Sequence, residues 1–96
     1  MVEMYCKVKF ESQNIGYRSI YSEMSPSFGI GSDRIISFVY PVEDSSSLDL
    51  GKWFDAVIRL PYGEKFLQDL SVGREYVLYA GGSSSIGVAR ILQIVS

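Results

Sequence analysis

Residues 2–11 alternate without interruption. Val2, Met4, Cys6, Val8 and Phe10 fall on one side of an extended chain, and Glu3, Tyr5, Lys7, Lys9 and Glu11 fall on the other. A period of two belongs to a β-strand with one face in a core and one in water. A helix cannot satisfy it, because its faces repeat every third or fourth residue. The same signature returns at Phe54, Ala56, Ile58 and Leu60, with Asp55, Val57 and Arg59 between them. The alternation predicts that Val2, Cys6, Val8, Phe10, Phe54, Ile58 and Leu60 are buried, together with Leu78 of a later strand.

Turn-forming residues divide the rest of the chain into short pieces. Ser12-Gln13-Asn14-Ile15-Gly16 ends the first strand. Residues 17–21 are open to a short second strand, broken by Ser25-Pro26-Ser27 because proline donates no ladder hydrogen bond. Gly29 and Gly31 bracket Ile30 in a bend or bulge. Residues 34–40, rich in β-branched and aromatic side chains, read as one strand that Pro41 stops. A polar loop through Glu43, Asp44 and Asp49 leads to the second alternating strand, which Pro61 ends. Residues 63–70 are the one helical stretch, with Phe66, Leu67 and Leu70 on a shared face. At about two turns it depends on packing. Residues 75–80 are a strand, Gly81-Gly82-Ser83-Ser84-Ser85 a flexible connection, and residues 86–95 a closing apolar strand. In that last strand Gly87 and Ala89 share a face, where small side chains admit a neighbouring strand closely.

Short strands at this spacing predict an all-β, mainly antiparallel fold. The expected form is a small closed or nearly closed barrel of about six to seven strands with at most one short helix. A chain of 96 residues holds one core, so residues 1–96 are read as a single domain.

The chemistry of the chain argues against catalysis. It has no histidine, which removes the commonest general base near neutral pH and every histidine-dependent triad. Cys6, the one cysteine, sits on the apolar side of the first strand and reads as a small core residue. A single cysteine also forms no internal disulfide, which points to a reducing compartment and a cytoplasmic protein. Zinc sites want clusters of histidine and cysteine. Glu43, Asp44 and Asp49 lack the spacing of a calcium loop, and Glu64 and Asp69 read as scattered surface acids. The glycines at 29, 31, 81 and 82 lack the Lys-Ser/Thr ending of a phosphate loop and read as turns. No metal and no cofactor is expected. No run of about 18 apolar residues suggests a membrane span, and residues 1–4 lack the basic start of a signal peptide.

Near the end of the chain stand Gly73-Arg74-Glu75-Tyr76-Val77-Leu78-Tyr79-Ala80-Gly81-Gly82 and Ile86-Gly87-Val88-Ala89-Arg90-Ile91. A strand, a glycine-rich hairpin and a strand with two small residues separated by one occur in this order. So arranged, the chain resembles the third, C-terminal β-barrel domain of elongation factor Tu and related translation GTPases. Leu48-Asp49-Leu50-Gly51-Lys52 before an alternating strand is similar to that family's Pro-Gly-Asp turn and strand. The resemblance implies a β-barrel that contacts protein partners and a tRNA arm, with Gly81, Gly87 and Ala89 as architectural positions. The family's charged Arg-Glu-Gly hairpin is replaced here by Tyr79-Ala80-Gly81.

A binding module is therefore expected. Seven tyrosines and one tryptophan suit recognition, because these side chains cover large areas with little rotamer loss. The partner expected is a protein, as for an immunity protein, adaptor or regulator, and the acidic loop suits a basic one. The candidate surface is Trp53, the acidic loop at Glu43, Asp44 and Asp49, and the hairpin at Gly81, Gly82 and Ser83. The alternative is RNA, with Tyr5, Lys7, Lys9 and Arg18 as a stacking aromatic among cations. A net charge of −2 gives little general attraction to nucleic acid or membranes.

Overall fold

The computed structural model describes residues 1–11, 25–42, 51–80 and 84–95, with the backbone only at Ser84. The turn at 12–16 and the second strand expected over residues 17–21 lie outside the described residues.

The alternating segment Val2–Phe10 forms β1, and β1 is nearly central in the sheet. On one side it pairs antiparallel with the strand Phe54–Leu60, and on the other with Ser84–Ile94. In chain order the strands are β2 (Ser27–Ile30), β3 (Asp33–Ile36), β4 (Phe38–Pro41), β5 (Phe54–Leu60), β6 (Glu75–Ala80) and β7 (Ser84–Ile94). Among the described residues they make one seven-stranded sheet in the order β3-β2-β6-β7-β1-β5-β4, and every pairing is antiparallel.

The register explains the burial. Val8 pairs with Phe54, Cys6 with Ala56, Met4 with Ile58 and Val2 with Leu60, so the apolar sides of β1 and β5 meet on one face. All eight residues expected in the core are buried. Fully burying a Phe or Leu side chain contributes about 1.5–3 kcal/mol, so this face carries most of the stabilisation. Phe10 stacks on Phe54 with centroids 5.9 Å apart, and Phe28 stacks on Tyr76 at 5.2 Å.

Register shifts opposite Leu78/Tyr79 and opposite Tyr5/Cys6 leave Ile86 and Leu92 of β7 without a direct partner. Bulges bend a strand and increase its twist. The sheet accordingly curls into a half-barrel around the buried face, and it stays open. Its terminal strands, β3 and β4, share no ladder. They are consecutive in the chain with only Ser37 between them, and a single residue cannot make the reversal that a hairpin needs.

That corner corrects the reading of residues 34–40 as one strand. At Ser37 the backbone leaves one edge of the sheet and joins the other. Ser37 is fully buried. Its hydroxyl donates to Pro26 O at 2.7 Å, and its N–H donates to the same oxygen at 3.3 Å. The bend expected around Ile30 is also corrected. Ile30 ends β2, and the reversal falls at Gly31-Ser32, where Gly31 has φ 59°. A glycine with positive φ at the first of two turn positions is the type II′ hairpin pattern.

The helical stretch is a 3₁₀ helix over Gly63–Asp69. With three residues per turn, the shared face expected for Phe66, Leu67 and Leu70 does not form. Phe66 packs on the core and Leu70 is buried, while Leu67 is exposed. The helix stops where the buried Tyr76 intervenes: its hydroxyl donates to Asp69 O at 2.7 Å and accepts the Ser71 N–H at 2.9 Å.

Candidate functional site

Alternation leaves one outward face on the middle strands, and the register sets its side chains in rows. Glu75 pairs with Arg90, Arg90 with Lys7, and Lys7 with Asp55, so a single row crosses β6, β7, β1 and β5. On one side of this row Gln93, Tyr5, Val57 and Tyr40 form the next. On the other side Val77, Val88 and Lys9 lie in line, and Trp53, just before β5, completes that row.

Trp53 sits between two cations. Lys9 Nζ lies 4.8 Å from its ring centroid and the Arg90 guanidinium carbon 5.0 Å. Each contact is worth about 0.5–1 kcal/mol at an exposed site, and together they hold the indole against the sheet while 38% of the residue stays exposed. Tyr5 is 44% exposed. Leu92, turned outward by its bulge, is also 44% exposed.

The charges on this face are matched. Lys7 Nζ lies 2.8 Å from Asp55, Lys9 Nζ 2.9 Å from Glu11, and Arg59 Nε 2.7 Å from Glu3. Arg90 Nε donates to Glu75 at 3.1 Å. Arg59 also lies over the Tyr40 ring at 5.3 Å. Four cations therefore face four carboxylates, which leaves an apolar and aromatic surface framed by ion pairs.

Of the residues expected to bind RNA, Tyr5, Lys7 and Lys9 share this face, and Arg18 lies outside the described residues. Of those expected to bind protein, Trp53 borders the same face. Glu43, Asp44, Asp49, Gly81, Gly82 and Ser83 lie outside the described residues, but the described chain fixes where their segments begin and end. Val42 N–H donates to Asp55 O at 2.9 Å, and Gly51 N–H donates to Phe10 O at 2.7 Å. Ala80 pairs with Ser84. Both segments thus leave and rejoin at the end of the sheet that holds Phe10, Glu11 and Trp53. A shallow groove lined by Glu11, Val77, Ser85, Ile86, Gly87 and Val88 opens at this end.

Arg90, Leu92 and Tyr40 were not expected at the site. Their alternation was readable, but which strands stand beside β1, and the bulge that exposes Leu92, depend on long-range register.

Cys6 lies in the core, and burial pushes its thiol from 9.0 up to about 12. Such a shift leaves roughly a thousandfold less thiolate than an unperturbed cysteine at pH 8. Native protein is therefore expected to react with a thiol reagent slower than urea-unfolded protein by about that factor. Equal rates would place Cys6 at the surface. Because the folded state holds the proton more tightly, the thiol's contribution to stability is complete below pH 9. It is lost between pH 9 and about 12, so the urea midpoint should fall across that window and fall less in Cys6→Ala.

Among the described residues no helix is long and apolar enough to cross a membrane. No protein-family model matches this chain, and no curated protein matches it.

Proposed function

We propose that this protein is a non-catalytic recognition module that binds a protein partner through the outward face of β7, β1 and β5 and the adjoining end with Trp53. The observation that carries this reading is the combination on one face of exposed Tyr5, Leu92 and Trp53 with cations that are already neutralised. Aromatic and aliphatic side chains framed by a polar rim suit a protein interface. Glu43, Asp44 and Asp49, carried by the segment that starts and ends beside Trp53, would steer a basic partner toward it. The absence of histidine and the suppressed Cys6 thiolate support a binding role over a catalytic one. We place the protein in the cytoplasm, among modules of the immunity-protein, adaptor or regulator type.

RNA is the second reading. It is favoured by the placing of Tyr5, Lys7 and Lys9 on one face and by the proposed kinship with the third domain of elongation factor Tu. Stacking of bases on Tyr5 and Trp53 between cations is the right kind of surface. The charge balance weighs against it, because a phosphate would have to displace a carboxylate from each cation it met. The two readings separate in a titration of bulk tRNA at low salt, followed by the fluorescence of Trp53. The protein reading predicts no saturable change. Binding that weakens steeply with added salt would establish the RNA reading in its place.

A further inference from the structure

The two edge strands of the sheet, β3 and β4, differ in what their backbones offer. In β4 the Val42 N–H donates to Asp55 O, which makes Tyr40–Val57 and Phe38–Arg59 the bonded pairs and aims the backbone groups of Val39 and Pro41 away from β5. Proline has no N–H to give, so this edge is blunted. In β3 the tight turn at Gly31-Ser32 makes Ile30–Asp33 a bonded pair, followed by Phe28–Ile35. The Ser37 N–H on Pro26 O continues the same alternation. Arg34 and Ile36 therefore turn their N–H and C=O groups to the open side, where no strand lies among the described residues.

The side chains on this edge also have few polar partners among the described residues. Arg34 and Ile36, two apart, share the outward face, and Ile36 is 51% exposed. The Arg34 guanidinium stacks on the Tyr79 ring at 3.9 Å. Tyr79 in turn lies across Gly29, where a Cβ would come within 2.7 Å of its ring. Arg34 is thus held in place with its hydrogen-bonding rim turned to no partner among the described residues. Lys7, Lys9, Arg59 and Arg90 each have a carboxylate, whereas Arg34 has none among the described residues.

We infer that the β3 edge accepts an extended peptide strand from a protein partner, with a carboxylate side chain opposite Arg34 and an aliphatic one opposite Ile36. The strand would extend the sheet through backbone hydrogen bonds, and Arg34 and Ile36 would select it. Charge complementarity favours an acidic strand over a second copy of this chain. On the outward face of β3 a copy paired through the same edge offers Arg34 only another Arg34 or Ile36. This edge is separate from the Trp53 surface, and the inference stands or falls independently of it.

The test is amide chemical-shift mapping on the whole protein with a blocked hexapeptide of threonines that carries one glutamate and, two residues on, one valine. Saturable shifts confined to Asp33–Ile36 and their β2 neighbours are expected. A peptide N-methylated at alternate amides should bind roughly tenfold more weakly, because it cannot complete the ladder. Replacing the glutamate by lysine, or introducing Arg34→Glu, should each weaken binding several-fold. The inference is overturned if no saturable shifts occur, or if the N-methylated peptide binds equally well. It is also overturned if the same amides shift with protein concentration in the absence of peptide, which would assign the edge to a second copy.

Discussion

Gly87→Ala is expected to destabilise the protein by about 3 kcal/mol, a large share of the roughly 5–15 kcal/mol typical of a domain. Gly87 faces Phe10 across β1 and Leu78 across β6. A Cβ built there would overlap the Lys9 carbonyl oxygen and lie 3.0 Å from Phe10 Cα and 3.1 Å from the Phe10 ring. Two of these neighbours are backbone atoms, which no rotamer change can move aside. To relieve the overlap, β1 and β7 must part at the point where Phe10 stacks on Phe54. Backbone conformation is not the reason, since Gly87 is not among the glycines with positive φ. Urea unfolding followed by circular dichroism should show a sharply lowered midpoint for Gly87→Ala and little native signal for Gly87→Val. An unchanged midpoint for Gly87→Ala would mean the two strands do not approach as described.

Trp53→Ala is expected to weaken partner binding by about 2 kcal/mol or more, roughly thirtyfold, while the fold persists. Trp53 lies outside the buried cluster and rests on Lys9 and Arg90, so its removal leaves no core cavity. Losing the two cation–ring contacts should cost only about 1–2 kcal/mol of stability. Circular dichroism separates the two roles. A variant with a native spectrum and lost binding places Trp53 in the interface. A variant that does not fold would mean that Trp53 supports the core. A folded variant that binds at full strength would remove Trp53 from the site.

The strands of the inner core were legible because each carries its own signal. Val2 to Phe10 and Phe54 to Leu60 alternate so regularly that their buried faces follow from the period alone. The close approach at Gly87 was legible for a related reason: a small residue on the buried face of a strand has meaning only beside another strand. The corner at Ser37 was not legible. Arg34 to Tyr40 has unbroken strand propensity, and what turns the chain is a carbonyl of Pro26, eleven residues earlier. The helical stretch was found but not its type, because the contact at its end is the hydroxyl of Tyr76 on β6. At the candidate site, single-strand patterning placed Tyr5, Lys7 and Lys9 together. It did not place Arg90 beside Lys7, or Trp53 over both Lys9 and Arg90, because cross-strand register depends on the bulges of β7. As a result Trp53, read apart from Tyr5, Lys7 and Lys9 in the sequence, adjoins them in the fold.

The measurement closest to the central claim is affinity capture from nuclease-treated host lysate with quantitative mass spectrometry, comparing the wild-type chain with a folded Tyr5→Ser/Trp53→Ala variant. The account predicts a protein retained in near-stoichiometric amount by the wild type, lost by the double variant, and binding directly when purified. Equal retention by both chains, or no protein retained by the wild type from the nuclease-treated lysate, would contradict it.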